Sequence, residues 1–215
     1  MSETAAYRPD LSREELAFQR IYGPLEPASL EEAAEFLEGS ALTWWVVGGV
    51  ALEAFTGVPR HHEDIDLSIF RRDLPLLRAH LAPRFHLWAA GPGLLHLADD
   101  TAMPDESEQV WFREHALAPW RGEFLLNADV EGRWRSKRDP SFTAPLERAT
   151  WIRDGIRYLN PELVLSHKVQ ATRPKDDADF DAALPLLDDA QRSFLRHFLE
   201  RNRPEHPWLP RLAKA

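Results

Sequence analysis

Two carboxylates stand two residues apart where a polar loop runs into an apolar segment. The stretch RHHEDIDLSIF covers residues 60–70 and carries Asp64 and Asp66. We predict that HEDIDLSIF is a β-strand, in which His62, Asp64 and Asp66 share one face. Ile65, Leu67 and Ile69 share the other face. Ionised carboxylates in an apolar setting are costly unless a partner compensates them. The spacing therefore indicates a site for a divalent cation on a rigid element.

A pair of glycines precedes these carboxylates. Gly48 and Gly49 lie between TWWVV, which is typical of a buried strand, and VALEAFTG, which is typical of a short helix closed by Gly57. Glycines in such a place let backbone N–H groups approach an anion closely. Turn geometry alone explains most glycine pairs, so this pair gains weight only from its position next to the carboxylates.

A zinc site is the competing interpretation of the histidines in this stretch. His61 and His62 are adjacent, and adjacent side chains of a strand face opposite ways, so they cannot both bind one ion. A third histidine would be needed, but His80 and His86 fall in a different element. The sequence therefore favours an oxygen-ligated cation over zinc.

The elements that must position these residues alternate between strands and helices. SLEEAAEFLE predicts a helix capped near Ser29, and RDLPLLRAHLAPRF predicts a helix with Pro75 in its first turn. FHLWAA and GLLHLA, separated by Gly-Pro-Gly, predict a hairpin, and RGEFLLN at 121–127 predicts another strand. Residues 30–140 are therefore expected to form a mixed sheet with helices packed on it.

The character of the sequence changes after Asn160. Pro161 stands at a helix start, Pro174 interrupts the pattern, and KDDADFDAALPLLDDAQRSFLRHFLERN continues as helices. We predict an α+β fold with an α/β domain at 1–150, of which 1–27 is an N-terminal extension, and a helical domain at 151–215. Helices are expected over 155–205, and a ligand cleft between the two parts.

Composition narrows the possible partners and the location. The net charge of −9 argues against a long nucleic acid, because phosphate binding needs a basic face, but it permits a small cationic ligand. The chain has no cysteine, no basic and apolar N-terminal signal, and no apolar run long enough to span a bilayer. We therefore expect a soluble cytoplasmic protein with no membrane partner. Nothing in the sequence sets an oligomeric state.

The order of these motifs resembles a known superfamily. GGVAL followed by HEDID, together with APWRGEFLL, KRDPSF and PELVLSHKVQATRPKDDADF, resembles the nucleotidyltransferases whose catalytic domain is shared with DNA polymerase β. More narrowly, the chain is similar to the aminoglycoside and lincosamide nucleotidyltransferase-like group, and HPW near the end also fits. The resemblance covers residues 30–210. It implies a polymerase β-like domain followed by a helical region.

The resemblance assigns roles to the glycines and the carboxylates. Gly48 and Gly49 would cradle a nucleoside triphosphate, and Asp64 and Asp66 would coordinate Mg²⁺. A third carboxylate on a neighbouring strand would complete the metal site and deprotonate the acceptor hydroxyl. Glu123 in WRGEFLL takes that position, although the related antibiotic-modifying enzymes often have Asp there. Asp129 in NADVEG is the rival, but an Asp in such a segment more often serves the turn, so Glu123 is favoured.

Basic residues are candidates for binding the polyphosphate. Lys168 and Lys175 in the helical part could reach across the cleft to neutralise it. The alternative for Lys175 is an ion pair with Asp179 one helical turn later. Arg60 and His62 are expected either to contact nucleotide phosphate or to order the loop before the strand.

The implied activity is Mg²⁺-dependent transfer of a nucleoside monophosphate to a hydroxyl of a small molecule. AMP from ATP is the expected donor, and an aminoglycoside-like or lincosamide-like antibiotic is the expected acceptor. The alternatives are modification of a protein or of a tRNA end, as in toxin–antitoxin members of the superfamily, and a nucleotide-binding regulator without transfer activity.

Two further features bear on the acceptor. The acidic segment ADDTAMPDESEQ at 98–109 could border the acceptor and attract a polycation, or be a solvated loop. Most tryptophans are expected in the core, but Trp111 or Trp134 could stack on a base or on the substrate.

Overall fold

A computed structural model describes residues 13–91, 94–98, 107–170 and 173–212. Its α-helices are α1 (Arg13–Tyr22), α2 (Leu30–Leu37), α3 (Gly48–Thr56), α4 (Leu74–Leu81), α5 (Leu146–Ala149), α6 (Pro161–Lys168), α7 (Pro174–Ala183), α8 (Asp189–Asn202) and α9 (Leu209–Leu212). Its strands are β1 (Trp44–Val46), β2 (Asp66–Phe70), β3 (His86–Gly91), β4 (Leu94–Leu97), β5 (Gln109–Arg113), β6 (Gly122–Asn127), β7 (Asp129–Val130), β8 (Arg133–Arg135), β9 (Thr143–Ala144), β10 (Thr150–Arg153) and β11 (Ile156–Leu159). The predicted α+β fold class is confirmed.

Eight strands form one mixed sheet in the order β10-β11-β1-β2-β6-β5-β3-β4. Strand β2 runs parallel to β6, and β1 runs parallel to β11, whereas the other neighbours are antiparallel. The segment from Leu67 to Phe70 is buried on both faces, so β2 lies in the middle of the core. Strands β7, β8 and β9 form a separate small antiparallel sheet.

Several local predictions are confirmed. Ser29 caps α2 in a capping box with Glu32, which satisfies two backbone donors at the helix start. Pro75 lies in the first turn of α4, where its missing N–H is tolerated. Strands β3 and β4 pair as the predicted hairpin, although residues 92 and 93 between them lie outside the described ranges. Gly57 closes α3 in the left-handed conformation.

The strand predicted over HEDIDLSIF is shorter than expected. It begins only at Asp66, so Asp64 lies in the loop that precedes it. The physical reason is that the loop is held by side chains rather than by a neighbouring strand. The backbone N–H of Arg60 donates to Glu53 Oε2 at 3.0 Å, and the Arg60 side chain binds Asp179.

The helical region also begins later than predicted. Residues 150–159 form the hairpin β10–β11, which extends the main sheet next to β1, so the expectation of helix from residue 155 is wrong. Asp154 and Gly155 form its turn with φ of 52° and 79°, a combination that closes two-residue hairpins. The uninterrupted helical segment starts at Pro161. The division of the chain into two domains stays a prediction.

The C-terminal helices cover one end of this sheet. Helices α6 and α7 pack against α3, and the rings of Phe180 and Trp208 stack at 4.3 Å. The Trp208 indole N–H donates to Asp177 at 2.7 Å, which ties the HPW segment to α7. No helix in the described part of the chain has both the length and the apolar character needed to cross a bilayer.

Candidate active site

The glycine pair lies at the start of α3, directly after β1. The backbone N–H of Val47 donates to the carbonyl of Asp66 at 3.0 Å, so the turn is bound to the start of β2. Gly48 has a φ of +66°, and a Cβ added there would clash with Asp66 Oδ2. A Cβ on Gly49 would clash with the guanidinium of Arg60. Position 48 therefore favours glycine for its left-handed backbone as well as for the approach of Asp66, whereas at Gly49 the long Arg60 side chain would have to move.

The carboxylate predicted to complete the site lies on the strand next to Asp66. The parallel register of β2 and β6 pairs Asp66 with Glu123. Asp64 and Asp66 line the same cavity although only Asp66 is on the strand. Burial, together with the charges of Asp66 and Glu63, raises the pKa of Asp64 to about 6. Burial and the two aspartates raise the pKa of Glu123 well above its usual range. The three carboxylates therefore repel one another strongly.

This donor set suits a hard cation. Carboxylate oxygens are the ligands that Mg²⁺ prefers, and a divalent ion relieves the repulsion that raises these pKa values. Within the ranges that the structure describes, no three His, Cys, Asp or Glu side chains already surround one point as a metal site. Asp64, Asp66 and Glu123 are the residues whose chemistry could hold Mg²⁺.

Asp129, the rival third carboxylate, is engaged elsewhere. It begins β7 in the small sheet, accepts the backbone N–H of Gly132 at 3.0 Å and forms an ion pair with Arg72. It therefore serves its turn, as its sequence context predicts. The geometry places Glu123, and not Asp129, in register with Asp66.

Two of the predicted phosphate-binding cations share one carboxylate. Arg60 forms a bidentate pair with Asp179, with N–O distances of 2.7 and 3.0 Å. Lys168 contacts Asp179 at 3.1 Å and Asp176 at 2.7 Å. Both aspartates belong to α7, so this helix brings its own counter-charges to the site.

The other two candidates are also paired. Lys175 contacts Glu63 at 2.7 Å, so the alternative prediction of an ion pair between Lys175 and Asp179 is wrong. His62 Nε2 lies 2.7 Å from Glu53 Oε2, which fixes the loop before β2. A cavity of about 240 Å³ brings the paired cations next to the glycine turn and the aspartates; its lining includes Gly49, Arg60, His62, Asp64, Asp66, Lys168 and Lys175.

Sequence reasoning missed several basic residues. A second cavity, of about 430 Å³, adjoins Gly48 and Asp66 and is lined on its far side by Lys137, Arg138, His167 and Arg173. Lys137 and Arg138 come from the KRDPSF segment, which was noticed as a motif but not assigned a role. Arg173 is the N-cap of α7 and donates to Asp176 at 2.8 Å.

His167 is a neutral side chain in this second cavity. Burial, with smaller contributions from Arg138 and Lys137, lowers its pKa to about 3. Its Nε2 is buried and has no hydrogen-bond partner in the described part of the protein. An unpaired buried ring nitrogen is a group that a ligand can satisfy.

A third cavity, of about 270 Å³, opens beside Glu123 and Asp64 and is lined partly by Trp111. This agrees in position with the hypothesis that Trp111 stacks on a ligand. Trp134, the other candidate, is fully buried and packs edge-on against Phe142, so it cannot stack on a ligand.

The acidic segment at 98–109 lies mostly outside the described residues, which omit 99–106. Its described end belongs to the second cavity, because Glu108 and Gln109 line it and Glu108 lies 3.7 Å from Lys137. Whether the segment borders the acceptor or is a solvated loop stays a prediction.

Comparison with known proteins concerns the fold. No protein-family model matches the sequence, and no curated protein matches it. A crystal structure of ANT(2'')-Ia in complex with adenylyl-2''-tobramycin is similar, with a TM-score of 0.53 and 14% identity, over 80% of this chain and 95% of that chain. A solution structure of the antibiotic-resistance factor ANT(2'')-Ia is also similar, with a TM-score of 0.51 and 14% identity, over 80% of this chain and 90% of that chain. A crystal structure of the lincosamide antibiotic adenylyltransferase LnuA with bound lincomycin gives a TM-score of 0.49 and 14% identity, over 75% of this chain and 100% of that chain.

At this identity the similarity defines a fold. The chain has the fold of ANT(2'')-Ia, which is the kind of fold that its glycine and aspartate motifs led us to expect. The residues that sequence reasoning assigned to the site, Gly48, Gly49, Asp64, Asp66 and Glu123, all lie around one edge of this fold's central strand pair.

Proposed function

We propose that the protein is a Mg²⁺-dependent nucleotidyltransferase that transfers a nucleoside monophosphate, AMP from ATP, to a hydroxyl of a small molecule. The observation that carries this proposal is the β2–β6 register, which sets Glu123 beside Asp66 at the start of α3. The fold is that of ANT(2'')-Ia, whose structure holds adenylyl-2''-tobramycin. An antibiotic-like acceptor is therefore part of the proposal.

The triphosphate would lie between the glycine turn and the basic residues of the helices. The N–H groups of Gly48 and Gly49 begin α3, where backbone donors and the helix dipole favour an anion. Lys168, Lys175 and Arg173 line the same space and can share their charge with phosphate oxygens. The neutral His167 in the adjoining cavity can donate or accept one hydrogen bond with the rest of the nucleotide.

The transfer itself is a displacement at the α-phosphorus. The acceptor oxygen forms a bond to phosphorus, the bond from that phosphorus to the bridging oxygen breaks, and pyrophosphate leaves. The proton of the acceptor hydroxyl passes to the Glu123 carboxylate. Asp64 and Asp66 would hold Mg²⁺, which when bound offsets the negative charge of the phosphate oxygens. The chain contributes mainly positioning and electrostatics.

The test measures transfer and nucleotide binding separately. The protein is incubated with Mg²⁺, ATP labelled at the α-phosphate and a panel of hydroxylated antibiotics, and thermal stabilisation by ATP is measured with and without Mg²⁺. We expect Asp64→Asn to abolish transfer and the Mg²⁺-dependent part of the stabilisation. Asp189→Asn, an exposed carboxylate at the start of α8, is the matched control and should behave like the wild type.

Each alternative gives a different result. Label on a protein or RNA in place of the antibiotics would indicate the toxin–antitoxin-like function. Mg²⁺-dependent ATP binding with no transfer to any acceptor would indicate a regulator. Equal stabilisation of wild type and Asp64→Asn would refute the metal site. The expected cytoplasmic location and the absence of a long nucleic-acid partner stay predictions.

A further inference from the structure

The cavity beside Glu123 differs in chemistry from the two cavities that adjoin the glycine turn. We name it the aromatic cavity and define it by Glu15, Phe18, Glu63, Trp111, Trp120 and Glu123. Asp64 also lines it, so it reaches two of the three site carboxylates. Among the described residues that line it, none is Lys or Arg. A molecule in this cavity can present a hydroxyl to Glu123 while the polyphosphate occupies the basic side.

One wall of the aromatic cavity is a cluster of rings. The ring centroid of Trp111 lies 5.5 Å from that of Phe18 and 5.4 Å from that of Trp120, in tilted and edge-on arrangements. Trp120 is fixed because its indole N–H donates to the carbonyl of Tyr22 at 2.8 Å. Phe18 and Tyr22 belong to α1, so the N-terminal helix supplies part of the wall. Such rings bind a flat apolar group by stacking or edge contact.

Apart from Leu25 and Gly122, the remaining lining is acidic. Glu15 and Glu63 line the same cavity as Asp64 and Glu123. Glu63 is neutralised by Lys175 at 2.7 Å, and Glu15 lies 3.7 Å from His61. A cluster of carboxylates next to aromatic faces favours a cation, because it gains both ion pairing and interaction with the ring electrons.

Trp111 lies beside the proposed base. It is the cross-strand neighbour of Glu123 in the β5–β6 register. Its buried indole N–H makes no hydrogen bond of good geometry within the described residues, but it lies near enough to the Glu123 carboxylate to act against the rise in the pKa of that group. An acceptor oxygen in the cavity could receive this N–H and give its proton to Glu123, so an occupant would compete with Glu123 for the donor.

We propose that the acceptor is an amine-bearing alcohol with a flat apolar ring, in which the ring packs on Phe18 and Trp111 and the amine lies near Glu15. This inference rests on the proposed function and specifies its acceptor. A polyhydroxylated polycation would leave the aromatic wall without an apolar partner. The volume of about 270 Å³ is at the small end for ligand sites, which fits a single-ring acceptor or a single-ring part of a larger one.

Three small probes that differ by one group test the proposal. Phenylglycinol carries a phenyl ring, an amine and a hydroxyl. Styrene glycol replaces the amine with a hydroxyl, and alaninol replaces the ring with a methyl group. Binding in the millimolar range is measured by titration calorimetry without nucleotide, so it does not depend on transfer activity. We expect phenylglycinol to bind about tenfold more tightly than either of the other two, because it alone makes both kinds of contact.

Matched variants assign the two contacts. Phe18→Ala should weaken phenylglycinol about fivefold and leave alaninol unchanged, because the ring contact is worth of the order of one stacking interaction. Phe55→Ala is the control, since Phe55 is also partly exposed and packs on another tryptophan, Trp151. Glu15→Gln should weaken phenylglycinol but not styrene glycol, with Glu147→Gln, an exposed carboxylate on α5, as its control.

The outcomes separate this proposal from the function on which it rests. Selective binding of phenylglycinol that is lost in Phe18→Ala supports the acceptor class, even if no AMP is transferred. Equal binding of the three probes, or binding of none of them, overturns it, even if the protein adenylylates another acceptor. Tighter binding of alaninol than of phenylglycinol would likewise overturn the proposal, because the ring would then contribute nothing to affinity.

Discussion

The strand side and the helix side of the site both bury charge, but they compensate it differently. On the strand side, Asp64, Asp66 and Glu123 have one another as neighbours, and burial with mutual repulsion raises the pKa of Asp64 and Glu123. On the helix side, Arg60 and Lys168 are already paired with carboxylates of α7. The strand side is therefore electrostatically incomplete without a cation, whereas the helix side is complete without an anion.

This difference has a consequence for ligand binding. A cation entering the strand side relieves the repulsion among its carboxylates. A phosphate entering the helix side must share Lys168 and Arg60 with Asp176 and Asp179, which remain in place. We therefore expect the metal to contribute most of the favourable energy and the helical cations to contribute orientation.

The largest expected effect concerns the third carboxylate of the strand side. Glu123→Gln keeps the size of the side chain but removes its charge and most of its basicity. Turnover should fall by about two to four orders of magnitude, the usual contribution of a positioned base. ATP binding should be largely retained, because Asp64 and Asp66 stay. Turnover of the variant with a fixed acceptor is the measurement.

Asp129→Asn is the matched control for Glu123→Gln. Asn can serve the turn nearly as well as Asp, and Asp129 is bound by Gly132 and Arg72. Its turnover should stay within about threefold of the wild type. An inactive Asp129→Asn beside a nearly normal Glu123→Gln would place the base in the turn and end the assignment made from strand register.

The next effect tests whether the helix side is compensated as described. Asp176 is fully buried and binds both Lys168 and Arg173. Asp176→Asn removes one of the two carboxylates that contact the buried Lys168, so the free energy of unfolding should fall by about 2 kcal/mol. Asp181→Asn on the same helix is the control, because its pair with Arg211 is exposed and should be worth less than about 1 kcal/mol. Equal losses from urea unfolding would show that α7 is not held by this pairing.

The comparison of the wild type with Asp176→Asn also gives a pH dependence of stability with a definite sign. Burial acts to raise the pKa of Asp176, but the hydrogen bonds from Arg173 and Lys168 outweigh it and lower this pKa below its ordinary value. The stabilisation by Asp176 is therefore present above its unfolded pKa and is lost as pH falls through its folded pKa. The difference in unfolding free energy between wild type and Asp176→Asn should shrink below about pH 4. A difference that grows in acid would contradict the pairing.

A smaller effect tests the close approach of Asp66 to the glycine turn. Gly48→Ala places a methyl group against Asp66 Oδ2 in a left-handed backbone, whereas Gly57→Ala places one in open space with a similar φ of 70°. Both should lose about 1 kcal/mol from backbone strain, and Gly48→Ala about 1 kcal/mol more together with its Mg²⁺-dependent ATP stabilisation. Equal losses, with ATP stabilisation retained, would remove the argument that glycine is required by the site.

The smallest effect is expected from Lys175. Its pair with Glu63 is partly exposed, so Lys175→Met should change the unfolding free energy by less than about 1 kcal/mol. ATP binding should weaken by about tenfold if the lysine shares its charge with phosphate. Unchanged ATP affinity, measured by calorimetry, would restrict Lys175 to its contact with Glu63. Arg196→Met, whose pair with Glu200 is also exposed, is the control.

The sequence predicted the residues of the strand side better than the contacts of the helix side. The alternation of Asp64 and Asp66, the glycine pair and the strand of Glu123 are local patterns, so they could be read without knowing the fold. The carboxylates that pair with Arg60 and Lys168 could not be predicted from local patterns, because Arg60 and Asp179 are 119 residues apart. Such contacts depend on how α7 packs against α3.

Two local errors have a different origin. The Asp154–Gly155 turn was visible in the sequence as a hairpin signal but was read as part of a helical region. The start of β2 was placed four residues early, because periodicity identifies a strand but not the residue where side-chain contacts replace backbone pairing. The sequence predicted the aromatic cavity only through Trp111, since Phe18 reaches it from α1, far away in the sequence.

The parallel pairing of β1 with β11 also sets when the site can form. Val46 meets Tyr158 across that pair, and Lys175 lies 112 residues after its partner Glu63. Contacts of such long sequence separation form slowly, because the loop must close before they stabilise the chain. During synthesis the carboxylate strands leave the ribosome long before α7 does. The growing polypeptide therefore carries Asp64, Asp66 and Glu123 before Lys168 and Lys175 are made. Early commitment to the fold must rely on the hydrophobic strands.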